Sequence, residues 1–287
     1  VKRSPEVASS RASNIPTICG AQGPFLKWPG GKRWLCDDIE KHLPRRFNRY
    51  FEPFLGGAAL FFHLSPRSAI LSDLNEDLVN TYIQVRDRLP AVIRGLSLLR
   101  VNKSTYLTIR SQAPKGKLDR AIRFLYLNKT AFNGLYRVNR SGAFNVPFAG
   151  KQGRALFDGE ELASASIRLK DCKIVAQDFS NAFRRARAGD LIYCDPPYTV
   201  RHNNNGFIRY NEALFSWDDQ KRLASLAVEA VGRGVKVVVS NAQHASLRNL
   251  YGGFRAVVLT RTSCMAGDAS RRGITSEYLF VGEPDRG

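Results

Sequence analysis

The residues with the clearest chemical potential are Asp195-Pro196-Pro197-Tyr198, directly after the apolar run Leu191-Ile192-Tyr193-Cys194. At average residue usage, a chain of 287 residues would contain this tetrapeptide by chance roughly once in a thousand, so its position carries weight. A short β-rich run stopped by two prolines reads as a buried strand with an abrupt end. Ligands of open α/β sheets bind just outside the carboxyl ends of the strands. A carboxylate, a rigid turn and an aromatic ring at such a point suit a grip on a flat ring that bears an amine.

Three further groups of residues belong to the same chemistry. In Phe51-Glu52-Pro53-Phe54-Leu55-Gly56-Gly57-Ala58 a strand runs through a glycine turn into a helix, where a nucleoside can approach the backbone. The turn lacks the G-x-G-x-x-G spacing that seats a pyrophosphate on a helix N-terminus, so a nucleoside without phosphates fits better than a dinucleotide. Asp73 ends the next strand about 20 residues on, where an acid can accept both ribose hydroxyls; the competing reading is a helix cap. Finally, Phe25-Leu26-Lys27-Trp28-Pro29-Gly30-Gly31-Lys32 places two lysines and an indole around a turn, offering cations and a π face to an anionic or aromatic ligand.

These groups need a scaffold, and the chain alternates short β-rich runs with helical ones. Strands are expected at Tyr50–Pro53, Ser68–Asp73, Lys173–Asp178, Asp190–Asp195, Val235–Ser240, Ala256–Thr260 and Glu277–Val281. Helices fit at Ala58–Leu64, Glu76–Arg88, Ser216–Val231 and Ala245–Leu250. This alternation implies a parallel, Rossmann-like α/β sheet of about seven strands, with helices on both faces. The rhythm breaks over residues 98–154, which open with helical basic runs (Ser104–Ser111, Leu118–Leu127). Asn139-Arg140-Ser141-Gly142, between Leu135–Val138 and Ala143–Val146, then suggests a β-hairpin. The expected organisation is a tail over 1–22, a sheet domain over 23–97 and 155–287, and an inserted, mainly helical module over 98–154.

Charge narrows the partner. The net charge is +19, and the stretch from Arg100 to Arg154 holds 12 Lys or Arg against the single acid Asp119. That local excess, interleaved with Tyr106, Phe124, Tyr126, Phe132, Tyr136 and Phe144, reads as a nucleic-acid surface. The five cysteines and four histidines show neither metal-ligand spacing nor a disulfide framework, which points to a reducing compartment and no metal. No stretch is long and apolar enough for a membrane span, and the polar start has no secretory signal pattern. No extended apolar surface run suggests an obligate oligomer, so a monomer is expected.

In order and spacing, K-W-x-G-G-K, E-P-F-x-G and D-P-P-Y resemble the motifs of the Dam-type DNA adenine-N6 methyltransferases, from about Phe25 to Val281. The intervening Tyr126-Leu127-Asn128, Asn133-Gly134-Leu135-Tyr136-Arg137 and Phe144-Asn145-Val146-Pro147-Phe148 look like that family's target-recognition insert. The resemblance implies S-adenosyl-L-methionine as cofactor, double-stranded DNA as partner, and a bacterial or phage enzyme working in the cytoplasm at the nucleoid. It implies that Trp28, Lys32, Asp73 and Asp195 line the cofactor pocket, with Glu52, Pro53, Phe54, Gly56 and Gly57 beneath it and Asp178 and Phe179 framing its adenine. Lys27, Asn133, Leu135, Arg137, Asn139 and Pro147 would face DNA, with Phe132 as an aromatic wedge. Ala58 departs from the family, whose members often carry glycine there.

The implied mechanism is electrostatic. Asp195 and the Pro196 carbonyl would accept the two N–H bonds of adenine N6 and localise its lone pair toward the methyl group, Pro197 would stiffen the turn, and Tyr198 would stack on the base. The base must first leave the duplex, at a cost of a few kcal/mol. The polar loop Thr199–Gly206 would order over it, and GATC-like recognition is compatible with the insert. Rival readings are an inactive DNA-binding protein on the same fold, or methylation of cytosine N4 or of protein glutamine. Ser and Asn, respectively, are more usual at position 195 in the last two.

Overall fold

The computed structural model describes residues 23–139, 142–150, 156–199, 215–262 and 274–284. All seven expected strands form: β1 Tyr50–Glu52, β2 Ala69–Asp73, β3 Lys173–Ala176, β4 Leu191–Cys194, β5 Lys236–Ala242, β6 Arg255–Thr262 and β7 Ile274–Gly282. They build one sheet in the order β3-β2-β1-β4-β5-β7-β6. The expectation of a parallel sheet holds only for the first five strands of that order. β7 inserts antiparallel between β5 and β6, so the sheet is mixed. The cause is local: only the 11 residues 263–273 separate β6 from β7, fewer than the dozen or more that a parallel crossover needs.

Alternation along the strands assigns the two faces. Tyr50, Leu71, Leu191, Tyr193, Val238, Leu279 and Val281 enter one core. Phe51, Ile192, Cys194, Val237, Val239 and Phe280 enter the other. The first face is covered by α1 Cys36–Glu40, α2 Ala59–Leu64, α3 Glu76–Asp87, α4 Leu89–Ser97, α5 Lys103–Ser111, α6 Lys117–Thr130 and α7 Gly159–Leu169. The second is covered by α8 Ser180–Arg185, α9 Trp217–Gly232 and α10 Ala245–Leu250. α9 begins with a reciprocal capping box between Ser216 and Asp219, a cap generally worth about 1 kcal/mol.

Four helices went unforeseen: α1, α4, α7 and α8. For two, the sequence carries start signals: Pro90 in the first turn of α4, and Asp158 followed by Glu160 and Glu161 at α7. The expected hairpin shows one antiparallel bridge, Val138 to Phe144, flanked by Asn139 N donating to Ala143 O and Asn145 N to Arg137 O, with Phe144 and Val146 facing the core. Arg140 and Ser141 lie outside the described residues, as do the tail 1–22 and all of the loop after Thr199 as far as residue 214. The basic segment has no separate core. Tyr106, Phe124, Leu125, Tyr126 and Leu127 join the apolar cluster that contains Leu71 and Tyr193. Among the described residues, no helix is long and apolar enough to cross a membrane.

Candidate active site

The parallel strands bring their carboxyl ends to one edge. β1 lies between β2 and β4, so the segments after Glu52, Asp73 and Cys194 emerge side by side where the strand order reverses direction. There Asp195 meets Lys32, whose Nζ lies 2.9 Å from Asp195 Oδ1 and 3.5 Å from Glu277 Oε2. The same ammonium donates to Gly30 O at 2.9 Å and sits 4.9 Å from the centre of the Tyr198 ring. The Gly30-Gly31 turn of the K-W-x-G-G-K segment folds the lysine inward, with Gly31 N donating to Trp28 O.

Burial opposes the charge on Lys32, but Asp195, Tyr198 and Glu277 more than reverse it and hold the ammonium well above its ordinary range. Burial likewise pushes the Asp195 carboxyl up, to about 6; Lys32 works against this and Glu277 with it. Glu52 lies deeper on the same face. Tyr50 OH donates to it at 2.9 Å, and burial pushes its carboxyl up to about 8. At neutral pH the cluster therefore holds one ammonium, an ionised Asp195 and a protonated Glu52, with no side chain poised as a strong base.

Glu277 escaped the sequence reading. The available signal was a lone acid in the alternation Glu277-Tyr278-Leu279-Phe280-Val281, on the side of the strand shared by Leu279 and Val281. Only the antiparallel insertion of β7, which pairs Glu277 with Ala242 at the end of β5, brings that acid to Lys32.

The glycine turn packs against Trp28. A β-carbon on Gly56 (φ +44°) would lie 2.8 Å from Trp28 Cδ1, and one on Gly57 would lie 3.2 Å from Trp28 Cβ. The turn is thus closed by the indole on one side. Trp28 stacks in turn on Tyr136 (5.9 Å, 20°) and Phe124 (6.4 Å, 18°), joining the turn to the basic segment. Ala58 adopts a left-handed conformation (φ 54°) and opens α2, a position where a β-carbon costs about 1–2 kcal/mol and where the family's glycine would be relaxed.

Asp73 braces this turn. Its Oδ2 accepts Gly56 N at 3.2 Å and its Oδ1 accepts Asn75 N at 3.0 Å, while burial raises its carboxyl against those bonds. The cap of α3 is Asn75, whose side chain accepts Leu78 N. Asp73 is therefore no helix cap; the residue is half-buried at the carboxyl end of β2. Asp178 is gripped by Arg222, Nη1 to Oδ1 at 3.0 Å and Nη2 to Oδ2 at 2.9 Å. The same guanidinium lies 4.2 Å over the Phe179 ring, and Phe179 packs on Phe54 and Phe215. Arg222 is a second residue the sequence did not flag.

The residues assigned to DNA cluster beside the Lys27–Lys32 segment. Asn128, buried in α6, accepts Lys27 N at 3.0 Å and donates to Lys27 O at 2.6 Å. Gly134 (φ +65°) packs so tightly that a β-carbon there would lie 2.6 Å from Lys27 Cβ. Phe132 is 50 % exposed and donates its N–H to Pro147 O at 2.9 Å. Asn133 has φ 53°, Leu135 packs against the core, and Asn139 Oδ1 accepts Ala143 N. Arg137 Nε donates to Asn145 Oδ1 at 2.8 Å. One continuous segment, from exposed Lys27 to buried Lys32, thus connects this surface to Asp195. Among the described residues no group of His, Cys, Asp and Glu is arranged to hold a metal ion.

The family model for D12 class N6 adenine-specific DNA methyltransferases matches residues 28–265. A type II methyltransferase of Lactococcus lactis subsp. cremoris, M1.LlaDCHI, is 36 % identical over 268 residues, covering 90 % of this chain and 94 % of that protein. The type II methyltransferase M.MjaIII of Methanocaldococcus jannaschii is also 36 % identical, over 277 residues, covering 88 % and 96 %. A DNA adenine methylase of Vibrio cholerae is 33 % identical over 270 residues, covering 92 % and 97 %.

Proposed function

Because this chain belongs to the D12 class N6 adenine-specific DNA methyltransferase family, we propose that Asp195 and the Pro196 carbonyl are the acceptor pair for the N6 amine, with Lys32 and Glu277 setting the charge of Asp195. The observation that carries this reading is the Lys32–Asp195 contact of 2.9 Å at the carboxyl end of β4. A carboxyl is acceptor-only and strongest when ionised, and the adjacent ammonium favours that state at neutral pH. Tyr198, held near the same ammonium, supplies the ring on which the base stacks.

The residues present suit S-adenosylmethionine as the methyl donor. With Glu52 protonated at neutral pH, Asp195 and Glu277 still outnumber the single Lys32, which favours a cationic ligand. Asp73 offers an acceptor at the next strand end, and Phe54, Phe179 and Phe215 give an apolar wall. When bound, the cofactor supplies a methyl group activated on a sulfonium. The chain's own part is to hold the amine still, aim its lone pair and exclude water, so orientation contributes much of the rate.

The target is an adenine turned out of a duplex. Phe132 is the candidate for the vacated stack, Arg137 for a guanine edge and Lys27 for the adjacent groove, within a recognition insert over 98–154; a GATC-like site fits this set. The protein works as a monomer on DNA at the nucleoid, in the reducing cytoplasm of a bacterium or phage-infected cell.

The test is methylation-sensitive sequencing of DNA from cells expressing the chain or its Asp195→Ala variant. N6-methyladenine at one short motif, absent with the variant, is the expected result. Marks on cytosine, or an undiminished variant, overturn the proposal.

A further inference from the structure

The opposite edge of the sheet carries charge of another kind. Three loops lead into β1, β4 and β5 at their amino ends, and direct hydrogen bonds join them. Asn48 N donates to Gly189 O at 2.9 Å, Gly189 N to Gly234 O at 3.0 Å, and Leu191 N to Arg49 O at 2.9 Å. Side chains bind the same loops together, with Arg49 Nη2 donating to Arg185 O at 3.0 Å and Arg233 Nη2 to Phe183 O at 2.7 Å. This rim exposes Arg45, Arg46, Arg184, Arg185, Arg187 and Arg233. The acid within these loops is Asp190, buried and already engaged by Arg49 at 2.6 Å. Among the described residues none of the six exposed arginines has a carboxylate partner.

Helix C-termini favour four of the six: Arg184 and Arg185 lie in the last turn of α8, Arg187 Nη1 donates to Arg184 O and Ala186 O, and Arg233 caps α9; Arg45 and Arg46 lie at neither end. Like charges gathered without counter-charges repel, and so destabilise the fold that holds them. A guanidinium presents a planar fork suited to phosphate oxygens. The rim is separated from Asp195 by the length of β4, roughly 15 Å at the usual rise per residue, and it faces the other way.

We propose that this rim is a second, sequence-independent DNA-binding surface, which holds the phosphate backbone of a remote duplex segment while the active site works on another. The proposal rests on DNA being the substrate and adds a site to that reading.

The experiment uses the full chain and its R45E/R46E/R184E variant, none of whose changes lies at the active site. Methylation of a short duplex just long enough for the active site should keep its kcat and KM. On kilobase-length DNA the KM should rise about 10-fold. The slope of log affinity for non-specific duplex against log salt should become shallower by about 0.9 per lost phosphate contact, so by about 2–3. R45Q/R46Q/R184Q, with milder changes, should give a smaller effect of the same sign and guards against a misfolded charge reversal. Equal KM on long DNA with an unchanged salt slope overturns the proposal, and so does an equal loss on the short duplex. The slope measurement needs no methyl transfer, so a parent chain that binds DNA but does not methylate it would count against the proposed function and not against the rim.

Discussion

The two ends of the sheet use charge in opposite ways. At the carboxyl end, Lys32, Asp195, Glu277 and Glu52 are buried or nearly so; Asp195 and Glu277 lie within 3.5 Å of the Lys32 ammonium, and burial raises the carboxyls of Asp195 and Glu52. At the amino end, six arginines stand in solvent with no carboxylate partner among the described residues. Coulomb interactions are several-fold stronger in a low-dielectric interior than in water. A single buried charge can therefore set the ionisation of a reacting group, whereas exposed charges act by number and fade with salt. Position on the sheet, more than residue type, separates buried, coupled charge from exposed charge here.

That contrast breaks most sharply at Asp195. Asp195→Ala should lower methyl transfer by about 100–1,000-fold or more, the usual loss for a preorganised electrostatic partner, while cofactor binding measured by calorimetry persists at least weakly. Loss of binding without loss of turnover would move Asp195 out of the chemistry.

Arg137 sharpens the comparison from the exposed side, because one exposed arginine can matter alone when it meets a base edge. Arg137→Ala should relax discrimination at one position of the recognition sequence by about 1–3 kcal/mol, read from competing duplexes that differ at single base pairs. Uniformly weaker binding to every duplex would make it a phosphate contact.

The buried cluster predicts opposite pH shifts from neighbouring substitutions. Parent activity should fall as pH drops through about 6, where Asp195 takes up a proton and stops being a full acceptor. Lys32→Met removes the stabilising cation and should move this acid limb upward, by about one pH unit or more. Glu277→Gln removes a like charge and should move it downward. Shifts of the same sign in both variants would mean that the cluster does not tune Asp195.

The smallest effect on activity belongs to Glu52, whose signature is stability. Its carboxyl is at about 8 when folded against an ordinary value of 4.5. Below about 4.5 it is protonated in both states and its contribution is fully present. As pH rises from there to about 8 the unfolded chain ionises first, and stability falls by up to about 4 kcal/mol. Thermal melts of Glu52→Gln should lack that decline; an identical decline would assign it to other groups.

Much of this was legible along the chain. The β-rich runs gave all seven strands because β-branched and aromatic residues alternate between turn residues, and the ends of those runs placed Asp73 and Asp195 at the carboxyl edge of the sheet. Four helices were missed, two of them despite readable caps at Pro90 and Asp158. The direction of β7 was also missed, since hydrophobic alternation is the same for parallel and antiparallel neighbours. Trp28 was readable as a member of the motif, but its seat on Gly56 and Gly57 depends on how the turn meets Tyr136 and Phe124.

The sequence by itself determined the motif order, the strand runs and the basic excess, because these depend on residue type and on spacing along the backbone. Tertiary structure alone decided that Glu277, 245 positions beyond Lys32 (277 − 32), shares its ammonium. It also decided that Asp178 is held by Arg222 and that arginines from three separate loops form one rim. The reason is physical: electrostatic coupling depends on distance through space and on exclusion of water, and neither is written in the linear order of the chain.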